Sequence, residues 1–214
     1  MTEIKVNDFK EALLHVCDLI TENEPALSQL DSIVGDGDHG TGMYEGFSEL
    51  RRILEEHEYE DLYKLMRESG ITLIKTMGGA SGVVFGTLFI GGQHALIDEN
   101  GLYKKKADCS TMVDFFRESA QAISKRGRVE ANDRTMLDAL LYALNAMEKY
   151  KGNDIREFFE AGWQGACEGA DATKMMMSRK GRSKNFREKV LGYPDPGAVS
   201  VSIIFRGLYE GMRG

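Results

Sequence analysis

The sequence predicts an all-α protein in one domain. Three observations carry that reading. Apolar residues recur at three- and four-residue steps along most of the chain. All three prolines fall at the edges of those periodic stretches or in a loop. No stretch keeps a two-residue alternation between hairpin turns, and the short apolar runs fit helices equally well. With 214 residues, 42% hydrophobic and 29% charged, the chain suffices for one domain with a sizeable core over residues 1–214.

The elements follow in order. From Asn7 as N-cap, the set Phe9, Leu13, Val16, Cys17 and Ile20 marks the buried stripe of a first helix. Pro25 suits the first turn of a second, short helix that runs into Asp31. After a glycine-rich loop, Met43 to Leu54 reads as a third helix and "YEDLYKLMRESGITLIKTM" as a fourth. "TMVDFFRESAQAISK" and "TMLDALLYALNAMEK" pair Thr111 with Asp114 and Thr135 with Asp138, a capping-box pattern with Asp in place of Glu. Asn153 caps "DIREFFEAGWQGACEGADATKMMM", and Pro196 opens the last helix, "PGAVSVSIIFRGLYEGM". Some eight helices result, with no internal repeat.

Met77 to Gly92, "MGGASGVVFGTLFIGG", is uncharged and nearly long enough to span a bilayer. Six of its residues are glycine, and it is the only such segment in an otherwise amphipathic chain. A central helix buried on all sides explains it better, with Gly78, Gly82 and Gly86 on one face allowing close approach. No membrane partner is expected.

Charge and cysteine usage narrow the functional classes. A net charge of −7 argues against a general nucleic-acid binder, which needs a basic face for phosphates. Cys17, Cys109 and Cys167 form no C-x-x-C pair and read as buried thiols of a reducing compartment. The start "MTEIKVNDFK" lacks a basic region followed by an apolar run. A cytoplasmic location is the expectation.

The stretch "LDSIVGDGDHGTGM", Leu30 to Met43, is the chemical centre of the sequence. "GDGDHG" matches G-x-G-x-x-G literally, yet a dinucleotide fingerprint follows a strand, and "PALSQLDSIV" reads as helix. A Walker A loop would end in Gly-Lys-Ser/Thr, but Gly40 is followed by Thr41 and Gly42. An EF-hand begun at Asp36 would have Gly40 at a ligand position and Phe47 in place of the bidentate Glu. Asp31, Asp36 and Asp38 are nevertheless hard oxygen ligands suited to magnesium or calcium. A metal held there would in turn hold phosphate, and the flanking glycines leave backbone N–H groups open to phosphate oxygens. The competing reading is an acidic turn in which each Asp caps a helix or forms an Asx-turn; the clustering of three favours metal.

Three further stretches bear on the site. "SGVVFGT" begins with Ser81 and Gly82 at a helix start, fit either for a phosphate contact or for plain capping by Ser81. "NDRTMLDAL" places Thr135 and Met136 at another helix start, or at a simple cap with a core methionine. "RKGRSKNFREKVLGYPDPGA" carries Arg179, Lys180, Arg182, Lys184, Arg187 and Lys189, which read as a solvated surface loop from which an arginine fork can reach phosphate. His15, His57 and His94 stand alone, and Trp163 and Met175 to Met177 read as core.

Taken together, "LDSIVGDGDHG", "GGASGVVFGT", "NDRTMLDAL", "GADATKMMMSRKGRS" and "GYPDPGA" resemble the nucleotide-binding L subunit of dihydroxyacetone kinase over most of the chain. The resemblance implies a closed barrel of eight antiparallel amphipathic helices with ADP or ATP at one end. It implies that Asp31, Asp36 and Asp38 coordinate two Mg2+ ions bridging the nucleotide phosphates. His39, Gly40, Thr41 and Gly42 match the loop against the nucleotide, and Ala80 and Ser81 match a second phosphate-side contact. Gly127 and Met136 match the adenine pocket, Arg182 a nucleotide-contacting arginine, and Asp195, Pro196 and Gly197 the closing element. The sequence departs from the family at Gly42, where Asn is common, after Ser81-Gly82, which lacks a common proline, and at "KNF" after Ser183.

The implied reaction is phosphoryl transfer to a primary hydroxyl of a short ketose. A separate K subunit would hold the ketose on a histidine, because 214 residues leave no room for that domain. In one branch of the family ADP stays bound and a phosphohistidine protein of the sugar phosphotransferase system rephosphorylates it; in the other, free ATP exchanges. Dihydroxyacetone and other short ketoses stay open as substrates, and so does homo-oligomer formation. The rival classes are a nucleotide-sensing regulatory module, a structural helical protein whose loop binds calcium or nothing, and the nucleotide domain of a fatty-acid kinase.

Overall fold

The computed structural model describes residues 1–180 and 190–212. Nine α-helices occur among the described residues: α1 (Val6–Glu22), α2 (Glu24–Val34), α3 (His39–Glu56), α4 (Leu62–Met77), α5 (Gly79–Ile90), α6 (Cys109–Gly127), α7 (Met136–Lys149), α8 (Ile155–Ala172) and α9 (Pro196–Gly211). The all-α class holds. A pair of three-residue strands, β1 (Glu3–Lys5) and β2 (Lys106–Asp108), adds a small antiparallel ribbon with Ile4 opposite Ala107. It went unseen in the sequence because its partners lie about a hundred residues apart and are too short to show a period.

Eight of the helices neighbour one another in a ring. α1 packs on α3, then α3 on α4, α4 on α5, and so on through α9, which packs back on α1. Such a circular order is what a closed barrel requires. The short α2 lies against α3 and α9. Aromatic side chains fill the interior: Phe116 of α6 meets Phe159 of α8 and Phe205 of α9 at ring-centroid distances of 6.2 and 5.0 Å, and Phe9 of α1 meets Phe159 at 6.2 Å. Buried aromatic pairs at this spacing combine large apolar area with favourable ring geometry.

The helix ends refine the expectations. Pro25 and Pro196 open α2 and α9, and Thr135 with Asp138 forms a full capping box. The other caps move. Lys5, not Asn7, precedes α1; Asp108 caps α6 by accepting from Thr111 N, which leaves Asp114 outside any box; and Asp154, not Asn153, caps α8. A local cap pattern is satisfied equally by neighbouring residues, so tertiary packing picks the register. α3 starts at His39, four residues before Met43, so the second half of the glycine loop is already helix.

Burial brings three more corrections. α5 is not buried on all sides: Gly79, Ala80, Ser81 and Val83 are exposed, and beyond Gly82 the buried run extends only from Phe85 to Phe89. Met175 is 84% exposed and Met177 is exposed too, because the chain leaves α8 there through a single 3-10 turn and passes outside the ring. Trp163 is half-buried and stacks on Tyr209. Of the three free cysteines, only Cys17 is fully buried, and Cys167 is exposed. No helix among the described residues is long and apolar enough to cross a membrane.

Candidate functional site

The loop between α2 and α3 is folded around Asp31. This carboxylate is buried, and its Oδ2 accepts from the backbone N–H groups of Gly37 at 3.0 Å and His39 at 3.2 Å. The Asp31 carbonyl takes Gly35 N at 2.6 Å. Two glycines make the turn possible. Gly37 sits at φ +80°, and a Cβ on Gly35 would lie 2.2 Å from Asp31 Oδ1. The turn brings ligand atoms of Asp31, Asp36 and Asp38 within 4.8 Å of one another, the last two exposed. Three like charges so close repel by about 1 kcal/mol per pair even at the dielectric of water. The donor set is all hard carboxylate oxygen with open solvent beyond, which fits Mg2+, a cation that takes a few carboxylates and keeps several waters.

The starts of α3 and α9 meet beside this loop. His39 opens α3, and its Nε2 lies 2.8 Å from Ser200 Oγ in the first turns of α9. Its ring is tilted on Phe85 of α5 at 5.9 Å. Burial holds the His39 imidazole below its usual range, against the opposing pull of Asp31 and of a backbone contact at Pro196. The ring is therefore neutral at pH 7, with one nitrogen donating and the other accepting.

α5 begins on Gly78 at φ +63°, with no side-chain capping bond. Ser81 is thus not its cap, and the plain capping reading of that serine drops out. The first-turn N–H groups of α5, beside exposed Ala80 and Ser81, receive no side-chain cap. Gly40 is buried against α2, where a Cβ would lie 2.3 Å from Ser28 Oγ. Thr41 is exposed, and a Cβ on Gly42 would meet nothing within 4 Å.

The remaining residues cluster at the starts of α7 and α9. Asp195 caps α9 by accepting from Ala198 N at 3.0 Å, followed by Pro196 and Gly197. A Cβ on Gly197 would lie 3.3 Å from Met136 Cβ, so the start of α9 rests directly on the first residue of α7. Gly127 ends α6 close to Val84 of α5. The fold therefore joins Asp31, Asp36, Asp38 and His39 to Asp195, Pro196, Gly197 and Met136. Arg182 lies outside the described residues, as do Lys184, Arg187 and Lys189.

Sequence reasoning passed over Arg134, the largest of the fully buried side chains. Its only signal was a basic residue flanked by acids in "NDRTMLD", which says nothing of burial.

Asp195 makes a pH prediction. Burial pushes its carboxyl up to about 6, while the Ala198 N–H and Arg134 pull it back. The free carboxyl titrates near ~4, so between roughly pH 4 and 6 the folded chain holds a proton that the unfolded chain has lost. Stability from this group therefore falls as pH rises through that window. Asp195→Asn keeps the cap and removes the titration. In metal-free protein, its melting temperature is expected to gain on wild type from pH 4 to 6.5 in calorimetric scans; a constant difference would contradict the assignment.

The family model for the DAK2 domain matches residues 33–210. The chain belongs to the DAK2 domain family. Among relatives of this DAK2 domain is the "PEP-dependent dihydroxyacetone kinase 1, ADP-binding subunit DhaL" of Listeria innocua, 32% identical over 96% of this chain and 92% of the relative. The corresponding ADP-binding subunit DhaL of Escherichia coli is 31% identical over 89% of this chain and 90% of its own. The DAK2 domain also superposes on the dihydroxyacetone kinase of C. freundii, solved in complex with AMP-PNP and Mg2+, with a TM-score of 0.71 and 25% identity. The match covers 94% of this chain and 33% of that one, so the chain spans about a third of that kinase.

Proposed function

We propose that this chain is the ADP- or ATP-binding subunit of a dihydroxyacetone-type kinase. It transfers a phosphoryl group to a short ketose held by a separate K subunit. The observation that carries the proposal is the convergence of Asp31, Asp36 and Asp38 within 4.8 Å at the start of α3. Relatives whose names specify ADP binding, and a related kinase solved with AMP-PNP and Mg2+, support it.

In this reading the three aspartates hold two Mg2+ ions, which supply charge neutralisation for the phosphates when bound. Asp31 keeps the loop folded, since its Oδ2 is already engaged by two N–H groups. The first turns of α3 and α5, at His39 to Gly42 and at Ala80 and Ser81, offer N–H donors to phosphate oxygens. Met136, with Gly127, forms the wall for the base, and Asp195 to Gly197 close the site. Arg182 is carried only by the family resemblance. Phosphoryl transfer asks the protein for positioning and charge, not for a covalent nucleophile. The nucleotide stays bound between turnovers, and a phosphohistidine protein of the sugar phosphotransferase system restores it.

Native mass spectrometry tests this on protein purified without added nucleotide, before and after dialysis against ATP and Mg2+. Retained ADP with two Mg2+ that resists exchange supports the relay. Empty protein that fills readily with Mg-ATP supports an ATP-dependent kinase instead. Protein that binds neither nucleotide at any Mg2+ concentration overturns both.

A further inference from the structure

Arg134 is placed where a cation is costly. Its side chain has no exposed surface, and its backbone lies at φ +62°, a left-handed conformation that costs a non-glycine residue about 1 kcal/mol. Taking a charge out of water costs several kcal/mol more unless hydrogen bonds repay it. A methionine would fill a similar volume at the same φ without the cost of burying a charge. The guanidinium must therefore be doing something that an apolar side chain cannot.

Its contacts say what. Nη2 donates to three carbonyl oxygens of one short segment, those of Val190 at 3.3 Å, Tyr193 at 2.9 Å and Pro194 at 3.4 Å. Nη1 lies 3.9 Å from Asp195 Oδ1, the next residue along. Among the described residues Nε and Nη1 have no hydrogen-bond partner, so the fork retains donor capacity there. The residue after Arg134 is Thr135, which caps α7, and the segment it grips ends in Asp195, which caps α9. One side chain thus ties the starts of two helices together from within.

We propose that Arg134 is a positioning residue for the nucleotide site, holding the Asp195-Pro196-Gly197 element against Met136 through its carbonyl grip. This rests on the function proposed above. Arg134 touches no ligand in this role; it sets the distance between the wall of the base pocket and the element that closes it. A lysine cannot substitute, because a single ammonium on a flexible stem cannot hold the carbonyl grip of Nη2 and the approach of Nη1 to Asp195 at once, as the two fixed nitrogens of a planar fork do.

The test uses the full chain with 2′/3′-methylanthraniloyl-ADP as fluorescent probe in saturating Mg2+, and Mn2+ alone as a probe of the carboxylates. Arg134→Lys and Arg134→Met are compared with wild type, together with Asp195→Asn and the Arg134→Lys/Asp195→Asn double variant. Expected for Arg134→Lys is wild-type helicity, probe affinity reduced about tenfold, and Mn2+ affinity within about twofold of wild type. The double variant is expected to bind no more weakly than its weaker single parent, since both changes break one link. A folded Lys variant with wild-type probe affinity overturns the inference. So does a parallel loss of Mn2+ affinity, which would mark a general disturbance of the fold, and so does the absence of a cooperative unfolding transition in both Arg134 variants. Wild type that binds no probe at any Mg2+ concentration overturns the proposed function itself, and this inference with it.

Discussion

Asp36→Asn is expected to lower the affinity for Mg-ADP about a hundredfold or more while leaving the fold intact. Loss of a neighbour that merely orients a metal ligand already costs about 10- to 100-fold, so loss of a ligand carboxylate belongs at or above the top of that range. Stability follows a different logic. Asp36 is exposed on the loop, outside every helix, and removing one of three crowded charges relieves repulsion. The melting temperature is expected to hold or rise slightly, within the ~0.5 kcal/mol usual for exposed positions. Titration of the fluorescent nucleotide across Mg2+ concentrations, beside a thermal melt, separates the two effects. Wild-type affinity in the variant would return the loop to the status of an acidic turn and end the metal reading.

The largest structural effect is expected at the crossing of α4 and α5. A Cβ on Gly86 would lie 2.6 Å from the carbonyl oxygen of Gly70, and a Cβ on Gly70 would lie 2.5 Å from that of Gly86. The two backbones touch, and neither obstacle is a flexible side-chain end. Gly86→Ala sets about 1 kcal/mol of gained helix propensity against overpacking that costs about 1–3 kcal/mol or more. Rigid backbone on both sides puts the overpacking at the upper end, so the net is a loss of about 2 kcal/mol. Gly86→Val adds two γ-methyl groups on a stiff branch, with an expected loss of about 3 kcal/mol or more by denaturant unfolding. The same shift moves the start of α5, so Ala80 and Ser81 leave their places and nucleotide affinity falls as well. Unchanged stability in Gly86→Val would show that the helices separate freely there.

Much of this was readable from the chain. The apolar stripe Phe9, Leu13, Val16, Cys17 and Ile20 is buried as its spacing required, because a helix of that period has only one way to hide those side chains. Pro25, Pro196 and the Thr135–Asp138 box mark helix starts for backbone reasons that act within four residues. The acidic cluster was visible because the turn that assembles it is itself local, spanning Asp31 to Asp38.

What the chain could not disclose is what depends on contacts between distant residues. His39 meets Ser200 across 161 positions, and Arg134 grips carbonyls 56 to 60 positions away. Neither partner leaves a trace beside the other in the sequence. Met175 looks like core by composition and is exposed because of where the chain happens to leave the ring. By itself, then, the sequence determined the helices, the carboxylate loop and the chemistry that loop invites, since each is set by forces reaching only a turn or two. The tertiary structure alone decided which helix starts face that loop, which cap wins among neighbouring candidates, and that a buried arginine fastens two of those starts together. Those outcomes depend on packing and on electrostatics across the whole ring, which no local pattern records.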